Sequence, residues 1–456
     1  MASSRTVLIA GGGIGGLAAA LSLVKRGFRA VVFEQSQKLE PIGAGIQLSP
    51  NAMHVLLDLG LGEALKPHIV APEHVRIRKA STGGDIVRVP LGKFVEERYG
   101  APYWLIHRGD LQSVLLDAVC AQPDITLALG SKVHDYVLHA NGVTAQVLRQ
   151  GVGGGEERCV GLIGADGLWS TIRERLGFTD APHFRKRTAW RAVVPAEAVS
   201  DEHREPAVSL WLGRHAHLVH YPIRGGRAIN IVAILRDLSP KLGWNNAGDR
   251  AELQAVFHKW AAPARDIIAA PESWTTWTLY DRPRMHRWGE GAVTMIGDAA
   301  HPILPFLAQG AGMAIEDGTV LADCLAKTPD NPAGAMRRYE ALRNDRTTRA
   351  QKTASRNGMR YQASGVEAAV RNTVLRTMGG AGLLKRYDWL YNWRQNPTAE
   401  SRSSMTARFT ANATKSRICL AGSRTGGAFI PVTTDAPTPS CQQSASRPSS
   451  SSGYKQ

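Results

Sequence analysis

The chain opens with two short apolar runs separated by one helical stretch. Thr6–Ala10 is apolar and ends in glycines, Ile14–Lys25 places Leu17, Leu21 and Val24 at helical spacing before Gly27, and Ala30–Phe33 is closed by Glu34. This change of period and back predicts a strand–turn–helix–strand unit. Ser49–Leu59 predicts a helix with Ser49 as cap and Pro50 at its first position; Leu111–Cys120 predicts another, capped by Asp110. Between Arg187 and Tyr280 the texture turns to alternating strands rich in Trp, Val and His. There Leu210–Tyr221 and Ala228–Leu235 flank Arg224-Gly225-Gly226-Arg227 and predict a hairpin. An apolar strand, Ala292–Ile296, is followed by a helix from Gly310 to Leu325 and by helical patterns from Ala333 to Tyr391. From Pro397 onward Ser, Thr, Ala, Pro and Gly dominate, which predicts a disordered extension.

This order predicts an α/β fold in which one domain is interrupted by another. Residues 1–180, with a strand-rich insertion near 72–105, and 284–330 form a nucleotide-binding domain; 181–283 form a mainly antiparallel β region; 331–396 are C-terminal helices and 397–456 the tail. At 456 residues, 43% hydrophobic and 21% charged, the chain has the composition of a soluble globular protein. Its net charge is +16, and the tail contributes seven Lys/Arg against two Asp/Glu, or +5, leaving +11 on the rest. Such a balance suits anionic ligands: a pyrophosphate, a nicotinamide dinucleotide, a carboxylate. Nucleic acid is not the expected partner, because no basic run is interleaved with aromatics. Cys120, Cys159, Cys324, Cys419 and Cys441 are odd in number, without CxxC or metal spacing, so neither disulfides nor a metal site are expected. With no secretory signal and no apolar stretch of membrane-spanning length, a cytoplasmic location is expected.

Gly11, Gly13 and Gly16 form GxGxxG, with Ile14 and Gly15 between them, and Glu34 follows eighteen residues after Gly16 at the end of the second strand. A dinucleotide needs one glycine to turn tightly, one to let amides approach the pyrophosphate and one to let helix and strand pack. The helix N-terminus adds unpaired N–H groups, and Glu34 can accept from an unphosphorylated ribose. The motif alone does not separate FAD from NAD.

Two distant runs decide between them: Gly164–Arg173 (GADGLWSTIR) and Gly297–Asp317 (GDAAHPILPFLAQGAGMAIED). Taken with the fingerprint, and with GAGIQLSPNA at Gly43–Ala52, HRGDL at His107–Leu111, HLVHYPIRGG at His217–Gly226 and DWLY at Asp388–Tyr391, the chain resembles the flavoprotein aromatic hydroxylases, with salicylate and 3-hydroxybenzoate 6-hydroxylases nearest. That resemblance implies one Rossmann-type FAD domain, FAD as cofactor, NADH or NADPH as co-substrate without a second fingerprint, and hydroxylation of a small aromatic by way of a flavin hydroperoxide. It further implies that Arg108 contacts the flavin near its ribityl–phosphate portion, that Asp298 bonds a ribityl hydroxyl and that Asp166 lies between flavin and nicotinamide regions. Gln47 is placed close to flavin or substrate, and the Ala311 and Gly312 amides meet the flavin's pyrimidine edge. An oxidase or epoxidase of the same fold, and a non-catalytic flavin-binding protein, share these motifs. A homodimer is the assembly carried forward.

On the strand around Leu218, alternation sets His217, Val219 and Tyr221 on one face and Leu218 and His220 on the other. The resemblance implies that His217 and Tyr221, four residues apart, face the substrate as catalytic residues. An imidazole with an unshifted pKa would take a phenolic proton near neutral pH. His301 is expected to brace its loop and Pro305 to shape the pocket; at Pro305 the sequence departs from 3-hydroxybenzoate 6-hydroxylase, which has glutamine there. Trp190, Trp211, Trp274 and Trp277 are expected mainly in the core.

Overall fold

A parallel sheet of five strands runs through the middle of the computed structural model, which describes residues 5–39, 43–150, 153–238 and 246–393. The expected tail, with Cys419 and Cys441, lies outside the described residues. The strands stand in the order Val293–Met295, Gly161–Gly164, Thr6–Ala10, Arg29–Glu34, Ile125–Leu129. A parallel sheet is covered on both faces, so its strands must be apolar throughout: Val7, Leu8 and Ile9 are each at most 1% exposed. Helix Ile14–Val24 leaves this sheet at Gly13 and packs on helix Gly310–Lys327 so closely that a Cβ on Gly318 would stand 2.8 Å from Ala19 Cα.

The second large layer is an eight-stranded sheet ordered Asn246–Gly248, Trp274–Asp281, His183–Pro195, Ala228–Arg236, Ala216–Ile223, Ala207–Leu212, His74–Lys79, Asp85–Pro90. Neighbours are antiparallel except Ala207–Leu212 and His74–Lys79, which run parallel. The strands of the 72–105 insertion therefore complete a sheet begun much later in the chain. The hairpin expected around Arg224–Arg227 is present, with Gly225 and Gly226 at positive φ.

Several expectations need correction. The long run Leu210–Tyr221 breaks at Gly213–His215 into two strands that pair with each other, because Gly213 lets Trp260 press against the turn: a Cβ there would lie 2.3 Å from the indole. Residues 187–280 are not all strand. Helices Arg250–Phe257 and Ala262–Ala269 bury Leu253, Phe257, Ile267 and Ile268 against Trp190, Trp211 and Leu218 on the sheet face away from the parallel layer's ligand motifs. Asp110 does not cap its helix; the helix starts at Arg108, and His107 Nδ1 accepts the Gly109 N–H at 3.2 Å. Ser49 occupies its N-cap position without capping, since its hydroxyl bonds Asn51 and Gln309 instead. Unforeseen were the three-stranded sheet Ser131–His139, Gly142–Arg149, Gly153–Cys159 and the pair Gly45–Leu48 with Trp104–His107.

The C-terminal helices follow as expected: Pro332–Tyr361, Gly365–Lys385 with a kink at Gly379, and the short Asp388–Tyr391. No helix among the described residues is long and apolar enough to cross a membrane.

Candidate active site

A cavity of about 1600 Å³ reaches from the first glycine turn to the eight-stranded sheet. Single small-molecule sites usually hold ~300–1,000 Å³, so this space is large enough for a dinucleotide portion and a second small ligand together. At one end the three fingerprint glycines divide their work. A Cβ on Gly11 (φ +117°) would meet Ala165 O at 2.4 Å, and one on Gly16 would meet Gly11 O at 2.0 Å, so both are demanded by backbone packing. A Cβ on Gly13 would meet nothing within 4 Å; Gly13, Ile14 and Gly15 line the cavity. Glu34 accepts the N–H groups of Gly12 and Ser36, each at 2.9 Å, which orients the carboxylate and leaves lone pairs for a ribose hydroxyl.

Midway, Arg108 and Asp298 expose their side chains to the cavity, deep within the surrounding protein. Burial pushes the Asp298 carboxyl up, opposed by the charges of His301 and Arg108. The Asp298 turn is anchored from behind: Asp317 accepts the Gly297 N–H at 2.9 Å and His301 Nε2 at 2.6 Å, and Arg343 Nε at 2.6 Å on its other oxygen. Despite burial, the His301 and Arg343 charges hold the Asp317 carboxyl at about 2. His301 is thus turned away from the cavity into this knot. The helix from Gly310 points its N-terminus at the cavity. Ala311 lines it, whereas Gly312 lies behind, where a Cβ would crowd Gln309 Oε1 at 3.1 Å. Gln309 is latched to Ser49 Oγ (2.7 Å) and Asn51 (3.0 Å), and Ala308 just before it adopts a left-handed φ of 54°. Asp166 Oδ2 accepts the Ile172 N–H at 3.1 Å; its Oδ1 is buried without a partner, and Ala165 and Gly167 beside it line the cavity. An open glycine cradle, an unpartnered buried carboxylate oxygen and an Arg/Asp pair facing the space fit the phosphates and hydroxyls of FAD.

At the far end the sheet supplies the wall. His217, Val219 and Tyr221 line the cavity, while Leu218 and His220 face the opposite core, as alternation requires. His217 sits between Phe306 and Tyr361, with ring centroids at 5.4 Å from each, and its Nδ1 lies 3.4 Å from Gln362 Nε2. Burial first, then the Arg187 charge, pull its pKa down to about 3, which corrects the expectation of an unshifted imidazole. Tyr221 stays protonated, burial raising its pKa, and its phenol meets Gln47, which also accepts the Tyr103 O–H at 2.6 Å. Gly45 makes room for that phenol: a Cβ would lie 2.5 Å from Tyr221 Cε2. Trp190, Trp211 and Trp274 are core residues at most 3% exposed, but Trp277 lines the cavity, beneath Arg191.

The Asp317–Arg343 knot, the Ser49–Asn51–Gln309 latch and Arg191 were missed by sequence reasoning. For Asp317 and Gln309 the signal was their place inside the Gly297–Asp317 run; Arg191 had none.

Comparison with known proteins agrees with this geometry. A family model described as an FAD binding domain matches residues 4–356. The 3-hydroxybenzoate 6-hydroxylase of Klebsiella oxytoca is 34% identical, over 88% of this chain and 100% of its own length. Among solved structures, Klebsiella pneumoniae HpxO complexed with FAD and uric acid superposes with a TM-score of 0.75 at 25% identity, covering 85% of this chain and 96% of that one. A salicylate hydroxylase substrate complex does so with 0.73 at 26%, covering 87% and 97%. The chain belongs to the FAD-binding-domain family of flavoprotein aromatic hydroxylases, and is an FAD-dependent, NAD(P)H-consuming aromatic-ring monooxygenase.

Proposed function

We propose that this chain hydroxylates a hydroxybenzoate or a hydroxylated N-heterocycle, the reading supported most by one observation: His217 and Tyr221 share the cavity face of a sheet whose far end meets the dinucleotide cradle. A ring hydrogen is replaced by hydroxyl, with dioxygen, NAD(P)H and a proton consumed and water released. FAD, when bound, supplies acceptance of the nicotinamide hydride and activation of dioxygen. Gly11, Gly13, Ile14, Gly15, Gly16 and Glu34 would hold its adenosine and phosphates, Arg108, Asp166 and Asp298 its middle, and Gln47 and Ala311 its ring end, with Gly312 backing the helix start.

His217, kept neutral, accepts a hydrogen bond from the substrate hydroxyl and polarises its O–H bond, leaving the proton on the substrate oxygen while making the ring more electron-rich. It does not store that proton between turnovers, because burial disfavours the imidazolium. Tyr221 donates from the same face. Around them Phe306, Leu307 and Ile303 line the space and keep water from the ring. We read residues 1–180 and 284–330 as the FAD-binding part and 181–283 as the substrate part, in a cytoplasmic homodimer that binds neither nucleic acid nor membrane. A panel of phenolic acids and hydroxypyridines, screened for stimulated NADH and NADPH oxidation with product identification, tests this. A yellow protein that yields hydrogen peroxide and no hydroxylated product with every compound would overturn it in favour of an oxidase.

A further inference from the structure

One row of the eight-stranded sheet crosses the cavity wall in register: Arg191, Val232, Val219, Leu210, Ile77. Four members are apolar and the fifth is a cation. Its guanidinium lies 3.9 Å over the Trp277 ring, Nε is buried without a hydrogen-bond partner, and among the described residues no carboxylate forms an ion pair with it. Burial and the nearby Arg108 charge lower its pKa to about 10, which leaves it charged at neutral pH. A partly buried cation without a counter-ion is unfavourable. A fold that retains one beside a ligand cavity gains from it when an anion arrives. Trp277 holds the planar group flat, leaving its edge for a bidentate partner. The strand bearing His217 and Tyr221 is two strands away, ~10 Å at the usual strand spacing. A benzene ring lying on Val232 and Val219 bridges that gap.

Building on the monooxygenase reading above, we propose that Arg191 binds the carboxylate of an aromatic acid, so that the site selects acids over neutral phenols. Arg108 is placed beside Asp298, Arg187 donates to Gln362 and to backbone carbonyls, and the cavity's further cations, among them Arg284, Arg349 and Lys352, stand outside this sheet.

The test uses the FAD-loaded enzyme and two substitutions, Arg191→Gln and Arg191→Lys. Binding of 2-, 3- and 4-hydroxybenzoate, and of phenol, catechol and 3-hydroxypyridine, is read from perturbation of the flavin spectrum. Wild type should prefer an acid. Arg191→Gln should weaken that acid by ~10- to 100-fold and neutral compounds by less than ~3-fold, with Arg191→Lys between. Equal weakening of acids and neutral phenols, or loss of flavin affinity with acid preference intact, would overturn the proposal and assign Arg191 to the cofactor. If wild type hydroxylates only neutral aromatics, the proposal fails while the monooxygenase reading stands; if it oxidises NAD(P)H and hydroxylates nothing, both fall.

Discussion

The two ends of the cavity are lined by different kinds of group. At the parallel sheet the wall is backbone, Gly13 to Gly15, its path set by Gly11 and Gly16 and braced by Glu34. At the eight-stranded sheet they are side chains, His217, Tyr221 and Arg191, on an otherwise apolar wall. Backbone sites tolerate no change in chain path but need no titrating group; side-chain sites can be altered one atom at a time on an unchanged scaffold. The first end is therefore suited to a constant cofactor, the second to a variable substrate.

Substitutions should separate the two. Gly16→Val is expected to have the largest effect: its side chain would occupy the place of Gly11 O, 2.0 Å from the added Cβ, costing at least ~3 kcal/mol and leaving little folded, yellow protein. Gly13→Ala sharpens the point, since it should fold normally and yet hold FAD roughly tenfold or more weaker, read by equilibrium dialysis. Full flavin affinity in the Gly13→Ala protein would show that the cradle does not face the phosphates.

At the other end, His217→Gln should slow coupled hydroxylation by ~10²- to 10⁴-fold while flavin content stays at one per chain. Unchanged turnover would remove His217 from the chemistry. A pH titration adds a second reading. Because the folded imidazole has its pKa near 3, below its ordinary 6.5, the unfolded chain binds more protons between these values. Stability should fall as pH drops through that window, and His217→Gln should lessen the fall.

The knot behind the Asp298 turn belongs to neither end, and breaking it should disturb stability before chemistry. Arg343→Met removes the cation shared by buried Glu316 and Asp317, leaving Glu316 to Arg346 and Asp317 to His301 and the Gly297 N–H, an expected loss of up to ~3 kcal/mol by thermal unfolding. The depressed Asp317 pKa signs the pH dependence: its contribution is complete above about 4 and is lost as pH falls towards 2 in the wild type. Smallest is Ser170→Ala, which removes the hydroxyl that accepts the Arg173 N–H at 2.9 Å and should cost about 1 kcal/mol with FAD affinity unchanged.

Much of the backbone-built end was legible in the chain. A glycine that must turn and a strand that must be apolar leave local signals, so Thr6–Ala10 and Ile14–Val24 emerge as expected. The side-chain end was legible only where alternation fixes a face, as for His217 and Tyr221. Their titration behaviour was not, because it depends on Phe306, Tyr361 and Gln362, which come from distant segments. Arg191 escaped for the same reason: an arginine in TAWRAVVP reads as a surface residue on a half-exposed strand until the strands beside it are known. The helices at Arg250–Phe257 and Ala262–Ala269 were hidden by the strands around them, although Asp249 supplies an ordinary cap.

The pairing of His74–Lys79 with Ala207–Leu212 joins stretches more than a hundred residues apart, in the parallel sense that no tight turn can close. During synthesis the early segment emerges with its hydrogen-bonding edge bare and must wait for its mate to leave the ribosome. The substrate wall is thereby the late-maturing part of the molecule, and slowing of elongation or chaperone shortage should expose that edge to intermolecular pairing long before the nucleotide cradle is at risk.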